Sequence, residues 1–181
     1  MVATFDGFEI SPVHLGDVWK ICDFVNTNEE RLGRYFPKTL KENLTPTLSQ
    51  LFIEKKVKAF QNNTEFLFTL KQAETRKLAG LIYLKNLDWK EKRGELAYCV
   101  GYNFSGNQLM SRAVKALIPY GFENLKLEHY IIVVNKHNSS SIKVATSNKF
   151  TWTNTLKKEF TPLGEEALDM ELYELEKASL K

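Results

Sequence analysis

No stretch of this chain is apolar over the roughly 18 consecutive residues that a membrane-spanning helix needs. The opening MVATFDGFEI also lacks the basic-then-apolar layout of a secretory signal. Cysteine is scarce: Cys22 and Cys99 lie far apart and form no CxxC pattern. That excludes a disulfide framework and a thiolate metal site, so both read as reduced, buried thiols of a cytoplasmic protein. Histidine is equally thin, and His14, His129 and His137 show no ligand spacing, so no metal is expected. No serine stands in G-x-S-x-G, which removes support for a hydrolase of that design. The net charge of +3 is mild, with lysines in short runs such as IEKKVK and NTLKKEF. These read as solvated faces, so neither nucleic acid nor membrane is expected as a partner.

What is present is enough for a core: 43% of the 181 residues are hydrophobic, and no repeat or linker splits the chain, which predicts one domain over residues 1–181. GFEISPVHLGDVWKICDFVN reads as a strand and then a helix, with Ser11 as N-cap, Pro12 at the first helical position, and Leu15, Val18, Trp19 and Cys22 as its buried face. NEERLGRYFPKTL reads as an irregular connection broken by Gly33 and Pro37. Thr45-Pro46 opens a second helix, with Leu48, Leu51, Phe52, Ala59 and Phe60 as its stripe.

The period then changes to that of strands. TEFLFTLKQ, RKLAGLIYLKNLDW and ELAYCVGY are three of them, the second apolar enough to be buried on both faces. A helix over about 107–122 follows, in which Pro119 predicts a kink or an early end. LEHYIIVVN is a strand, NSSSIKVATSN a short helix begun by Asn138, and FTWTNTLKKEF and LDMELYELEK are two closing strands. This order predicts a mixed sheet flanked by helices, of the α+β or α/β kind.

The strongest local feature is GELAYCVGY running into NFSGNQLMSRAV. A strand feeding a tight turn at a helix N-terminus aims unpaired N–H groups at one point, where the helix dipole favours an anion. Those donors come from Ser105 to Ser111, with Arg112 and Lys115 adding positive charge nearby. An ordinary strand–turn–helix unit has the same spacing, and both readings stand at this level.

The run RKLAGLIYLKNLDWKEKRGELAYCVGYNFSGNQLMSRAVKALIPYGF resembles the central part of the GNAT acyltransferases, and most closely the branch of RimJ/RimL-type ribosomal-protein N-terminal acetyltransferases. The likeness continues into HYIIVVNKHNSSSIKVATSNKF, where Asn138, Ser141 and Phe150 fall on the family's asparagine, serine and closing phenylalanine. It spans nearly the whole chain and implies a central mixed, mostly antiparallel sheet flanked by helices. Three departures stand out. The family's Gly-x-Gly loop is Gly106-Asn107-Gln108 here, so a side chain at the second glycine crowds a diphosphate unless a negative φ directs it away. Lys149 replaces the glycine before the closing phenylalanine, and Thr146 a late glutamate. Ala145 stands where many members carry a proton-donating tyrosine.

The resemblance implies transfer of an acetyl group from acetyl-CoA to a primary amine, of a protein N-terminus or a small molecule. Ser105, Gly106, Asn107, Gln108, Leu109, Met110 and Ser111 then bind the coenzyme diphosphate, and Asn138 the pantetheine arm while capping its helix. A main-chain N–H near Cys99 or Val100 meets the thioester oxygen, leaving the Cys99 thiol to packing. Glu95 is the candidate base for the incoming ammonium; an ion-paired surface carboxylate is the alternative. Ser141 is the candidate hydroxyl for the departing thiolate, unless it only satisfies its own helix turn. Arg31, Arg34, Tyr35, Phe36, Trp89 and Trp152 are candidates to line the acceptor site, each with packing or surface as the alternative. The assembly expected is a monomer or homodimer. The rival function is a GNAT-fold binding module that has lost normal CoA use, motivated by the altered loop and the absent tyrosine.

Overall fold

A computed structural model describes residues 1–180. Its eight strands form one sheet in the order β1-β2-β3-β4-β5-β6-β8-β7. They are β1 (Ala3–Phe5), β2 (Phe8–Pro12), β3 (Phe66–Gln72), β4 (Leu78–Asp88), β5 (Arg93–Val100), β6 (His129–Asn135), β7 (Thr151–Phe160) and β8 (Leu168–Glu176). Every neighbouring pair is antiparallel except β5 and β6. That parallel pair needs a crossover, and the helix α5 (Leu109–Pro119) supplies it.

Both sheet faces are covered, which explains why β3 and β4 carry near-continuous apolar runs. One face packs under α1 (Val18–Thr27), α2 (Glu29–Tyr35), α3 (Pro37–Lys41) and α4 (Pro46–Gln61), with Ile21, Phe24, Leu32, Phe52 and Ile53 meeting Leu67, Leu81 and Cys99. The other packs under α5 and α6 (Ser139–Ser147), where Leu109, Ala113, Val114 and Leu117 meet Phe68, Ile82 and Leu96.

Three local expectations are corrected. Ser11 and Pro12 do not start a helix. Both lie in β2, where Ser11 pairs with Thr69 and Pro12 with Phe68, so sheet pairing overrides the cap-plus-proline signal. The helical turn begins instead behind His14, whose Nδ1 accepts from Gly16 N at 3.1 Å. The buried residues of α1 are Ile21, Cys22, Phe24 and Val25, with Val18 partly buried beside them, and Trp19 is left 73% exposed. In α4 the same happens to Leu48 and Leu51, which are exposed while Phe52 and Ile53 are buried. The NEERLGRYFPKTL segment is not irregular: it forms α2 and α3, with Pro37 opening the latter as a helix N1 residue. At Pro119 α5 ends as expected and passes into a wider turn over Tyr120–Asn124.

Candidate active site

β5 and β6 pair only over Arg93–Glu95 and His129–Ile131, and then part. Beyond that point β6 is held by β8 as far as Asn135, and β5 by β4 as far as Val100. The wedge between them opens into a cavity of about 960 Å³ that reaches from α2 and α3 on one face to α5 and α6 on the other. Its size suits a large ligand together with a second reactant.

The ladder decides which amides face the wedge. Gly101 N donates to Ala79 O at 2.9 Å, and the register runs unbroken from Gly80–Val100 to Lys85–Glu95. Alternation therefore turns the amides of Cys99, Ala97 and Glu95 toward β4, and those of Val100, Tyr98 and Leu96 toward the gap. Of the two residues the sequence left open for the thioester oxygen, Val100 turns its amide into the gap and Cys99 turns its amide into the ladder with β4. The Cys99 thiol is buried on the α1–α4 face, and burial pushes its pKa up from 9.0 to about 12.

At the mouth of the wedge lies the turn from Ser105 into α5. Gly106 has φ +92° and Gln108 φ +54°. The negative φ considered for Gln108 is thus not what the chain adopts. It keeps the left-handed conformation that a glycine would take most easily, at a cost of roughly 1–2 kcal/mol, with its side chain exposed at the rim. Lys149 repeats this at φ +64°, so both replaced glycines retain the backbone shape that glycine favours. No side chain caps α5. Among the described residues, the amides of Gly106, Asn107, Gln108, Leu109, Met110 and Ser111 have no protein acceptor. Six successive free donors at a helix N-terminus form a cradle for an anion.

Two buried asparagines that carry no sequence signal fix this loop. Asn28 Oδ1 accepts from Tyr102 N at 2.8 Å, and Asn148 Nδ2 donates to Ser111 O at 3.0 Å. Asn138 caps α6, its Oδ1 accepting from Ser141 N at 3.2 Å. The Ser141 carbonyl in turn accepts from the Tyr98 hydroxyl at 3.2 Å, across the floor of the cavity. Burial raises the Tyr98 pKa, so this phenol keeps its proton.

Glu95 lines the cavity with its side chain 12% exposed, held by Lys85 Nζ at 3.1 Å and Asn86 Nδ2 at 2.7 Å. Arg31, Tyr35 and Phe36 also line it. Arg34 instead forms a two-pronged pair with Glu165, while Trp89 donates to Asn63 O and Trp152 to Glu171, away from the cavity. The charge assigned to Arg112 and Lys115 is not in the cavity either. Arg112 binds Asp6 and Asn107 O, and Lys115 is exposed on the outer side of α5.

Residues 8–151 match the family model described as the acetyltransferase (GNAT) domain. The chain belongs to the GNAT acetyltransferase family. It is 34% identical over 83 residues to an uncharacterized N-acetyltransferase, p20, of Bacillus licheniformis, a match covering 46% of this chain and 47% of that relative. The matched stretch thus spans about half the length of the relative. Among solved structures it is similar to a ribosomal-protein-S5-alanine acetyltransferase from Vibrio fischeri, with TM-score 0.89, 20% identity, and 98% and 97% of the two chains covered. A second is RimL, a ribosomal α-N-protein acetyltransferase in complex with coenzyme A, with TM-score 0.87, 16% identity and 97% of each chain covered. At these identities the structures show a shared fold, the mixed, mostly antiparallel sheet flanked by helices described above. The family transfers acetyl groups from acetyl-CoA to amines.

Proposed function

We propose that this GNAT family member is an N-acetyltransferase that moves an acetyl group from acetyl-CoA to a primary amine. The observation that carries the reading is the run of six free amides, Gly106–Ser111, at the mouth of the β5–β6 wedge. A diphosphate satisfies donors that nothing in the chain satisfies. Because those donors belong to the main chain, the glutamine at position 108 does not remove them, and the binding-module rival is not favoured.

The chemistry divides across the sheet. The amine approaches from the α1–α4 face, where Glu95 lies on the wall with Ala97 and Cys99. Both oxygens of Glu95 are already engaged, so it receives the amine proton through an ordered water. The amine nitrogen bonds to the thioester carbon, and the oxygen that becomes negative is met by the Val100 N–H. A preorganised donor of this kind contributes about 3–4 kcal/mol. The C–S bond then breaks, and the thiolate takes the second proton that the nitrogen sheds, relayed through the Ser141 hydroxyl that lines the cavity on the α6 side.

The acceptor is an exposed amine, either a protein N-terminus, as in the ribosomal-protein acetyltransferases of similar fold, or a small molecule. Tyr35 and Phe36 border its approach. Thiol release from acetyl-CoA across N-terminal peptides and small amines tests the reading, together with a thermal-shift titration. Turnover with one class and a rise in Tm with acetyl-CoA are expected. A folded sample with neither response refutes the proposal.

A further inference from the structure

The diphosphate cradle has donors but, from its own loop, no charge. Arg112 is committed to Asp6 and Asn107, and Lys115 lies outside the cavity. The cation that reaches the loop comes from 74 residues earlier in the chain: Arg31 on α2 donates from Nη2 to the Ser105 hydroxyl at 2.9 Å. Its guanidinium lies over the Tyr102 ring, 4.9 Å from the centroid. No carboxylate among the described residues pairs with it. Its other terminal nitrogen, Nη1, is buried without any hydrogen-bond partner.

An unpaired buried guanidinium nitrogen is costly, and native structures seldom keep one without a use. Tyr102 supports the plane of the group, and Ser105 is a single neutral acceptor beside a cradle of free amides. A phosphate group in that cradle, with two oxygens, offers the two-pronged, charge-assisted pairing that guanidinium favours and Ser105 does not provide.

We propose that Arg31 is a diphosphate ligand of the bound acyl-CoA, delivered from α2 to a loop that lacks a cation of its own. The inference rests on the acetyl-CoA reading above. It also explains why α2 is fastened to this loop a second time, through the bond from Tyr102 N to Asn28 immediately before the helix.

The test is calorimetric titration of wild type, Arg31→Met, Arg31→Gln and Arg31→Lys with CoA and with 3′-dephospho-CoA, which keeps the diphosphate. Beside it, KM is measured for acetyl-pantetheine, which has no phosphate. Loss of a charge-assisted pair weakens both coenzymes about tenfold or more in the Met and Gln variants, with an intermediate loss in the Lys variant. The KM for acetyl-pantetheine stays within about twofold, and a melting curve without ligand confirms that each variant is folded. Unchanged CoA affinity in folded variants overturns the proposal. So does a loss restricted to CoA, which points to the 3′-phosphate, or an equal loss with acetyl-pantetheine. Failure of the wild type to bind CoA overturns the acetyl-CoA reading itself.

Discussion

The Tyr98 hydroxyl donates to the carbonyl oxygen of Ser141 at 3.2 Å, joining β5 to the first turn of α6 beneath the point where β5 and β6 separate. A strand that has lost its neighbour is thereby tied to the helix bordering the opening. Tyr98→Phe removes only this bond. Stability is expected to fall by about 1 kcal/mol, measured by denaturant unfolding. Ser141→Ala, in contrast, is expected to leave stability within about 0.5 kcal/mol and to lower kcat about tenfold. Equal kcat for wild type and Ser141→Ala would remove this serine from the chemistry.

Glu95→Gln keeps the shape and the Asn86 contact but loses the proton acceptor and the charge facing Lys85. A fall in kcat of about a hundredfold or more is expected, with KM for acetyl-CoA unchanged. The measurement is thiol release at saturating amine. Turnover at the wild-type rate assigns Glu95 to ion pairing alone.

Lys71 and Asp17 form an ion pair at 2.6 Å, with side chains 1% and 0% exposed. Burying one charge without the other is the expensive case, so Lys71→Met is expected to destabilise by about 3–5 kcal/mol. Adding Asp17→Asn to that variant should recover part of the loss. A double variant no more stable than the single one would show that packing, rather than the stranded carboxylate, sets the cost.

Cys99 offers a pH test. Burial raises its pKa from 9.0 to about 12, so the folded chain holds this proton more tightly than the unfolded chain does. Its contribution to stability is complete below pH 9 and is lost as the pH rises toward 12. Buried Tyr83, Tyr98 and Tyr130 are raised in the same direction. Tm is expected to decline above about pH 9, and less steeply in Cys99→Ala, with native-state thiol labelling slow at pH 8. Fast labelling of the folded protein would contradict the burial.

Local sequence carried some of this architecture plainly. Thr45-Pro46 and Asn138 start α4 and α6 because their side chains satisfy the first free amides of each helix, an event within three residues. Pro119 ends α5 for an equally local reason. Ser11-Pro12 shows the limit: the same signal lies in β2 because pairing with Phe68 and Thr69, more than 50 residues away, outweighs a cap. Half of the α1 stripe failed with it: Cys22 and Val18 pack on the core as expected, while Leu15 and Trp19 are exposed.

By itself the sequence determined the succession of elements from α4 to β8, the strand-to-helix turn at Gly106 and, by resemblance, the family, because each depends on order and short spacing along the chain. Tertiary structure alone decided which main-chain donors are free and what surrounds them. It turned the Val100 amide rather than that of Cys99 into the gap, left six donors unanswered beside Ser105, and brought Arg31 across 74 residues to meet them. Those relations depend on strand register and helix packing, which arise between distant segments and leave no periodic mark on either one.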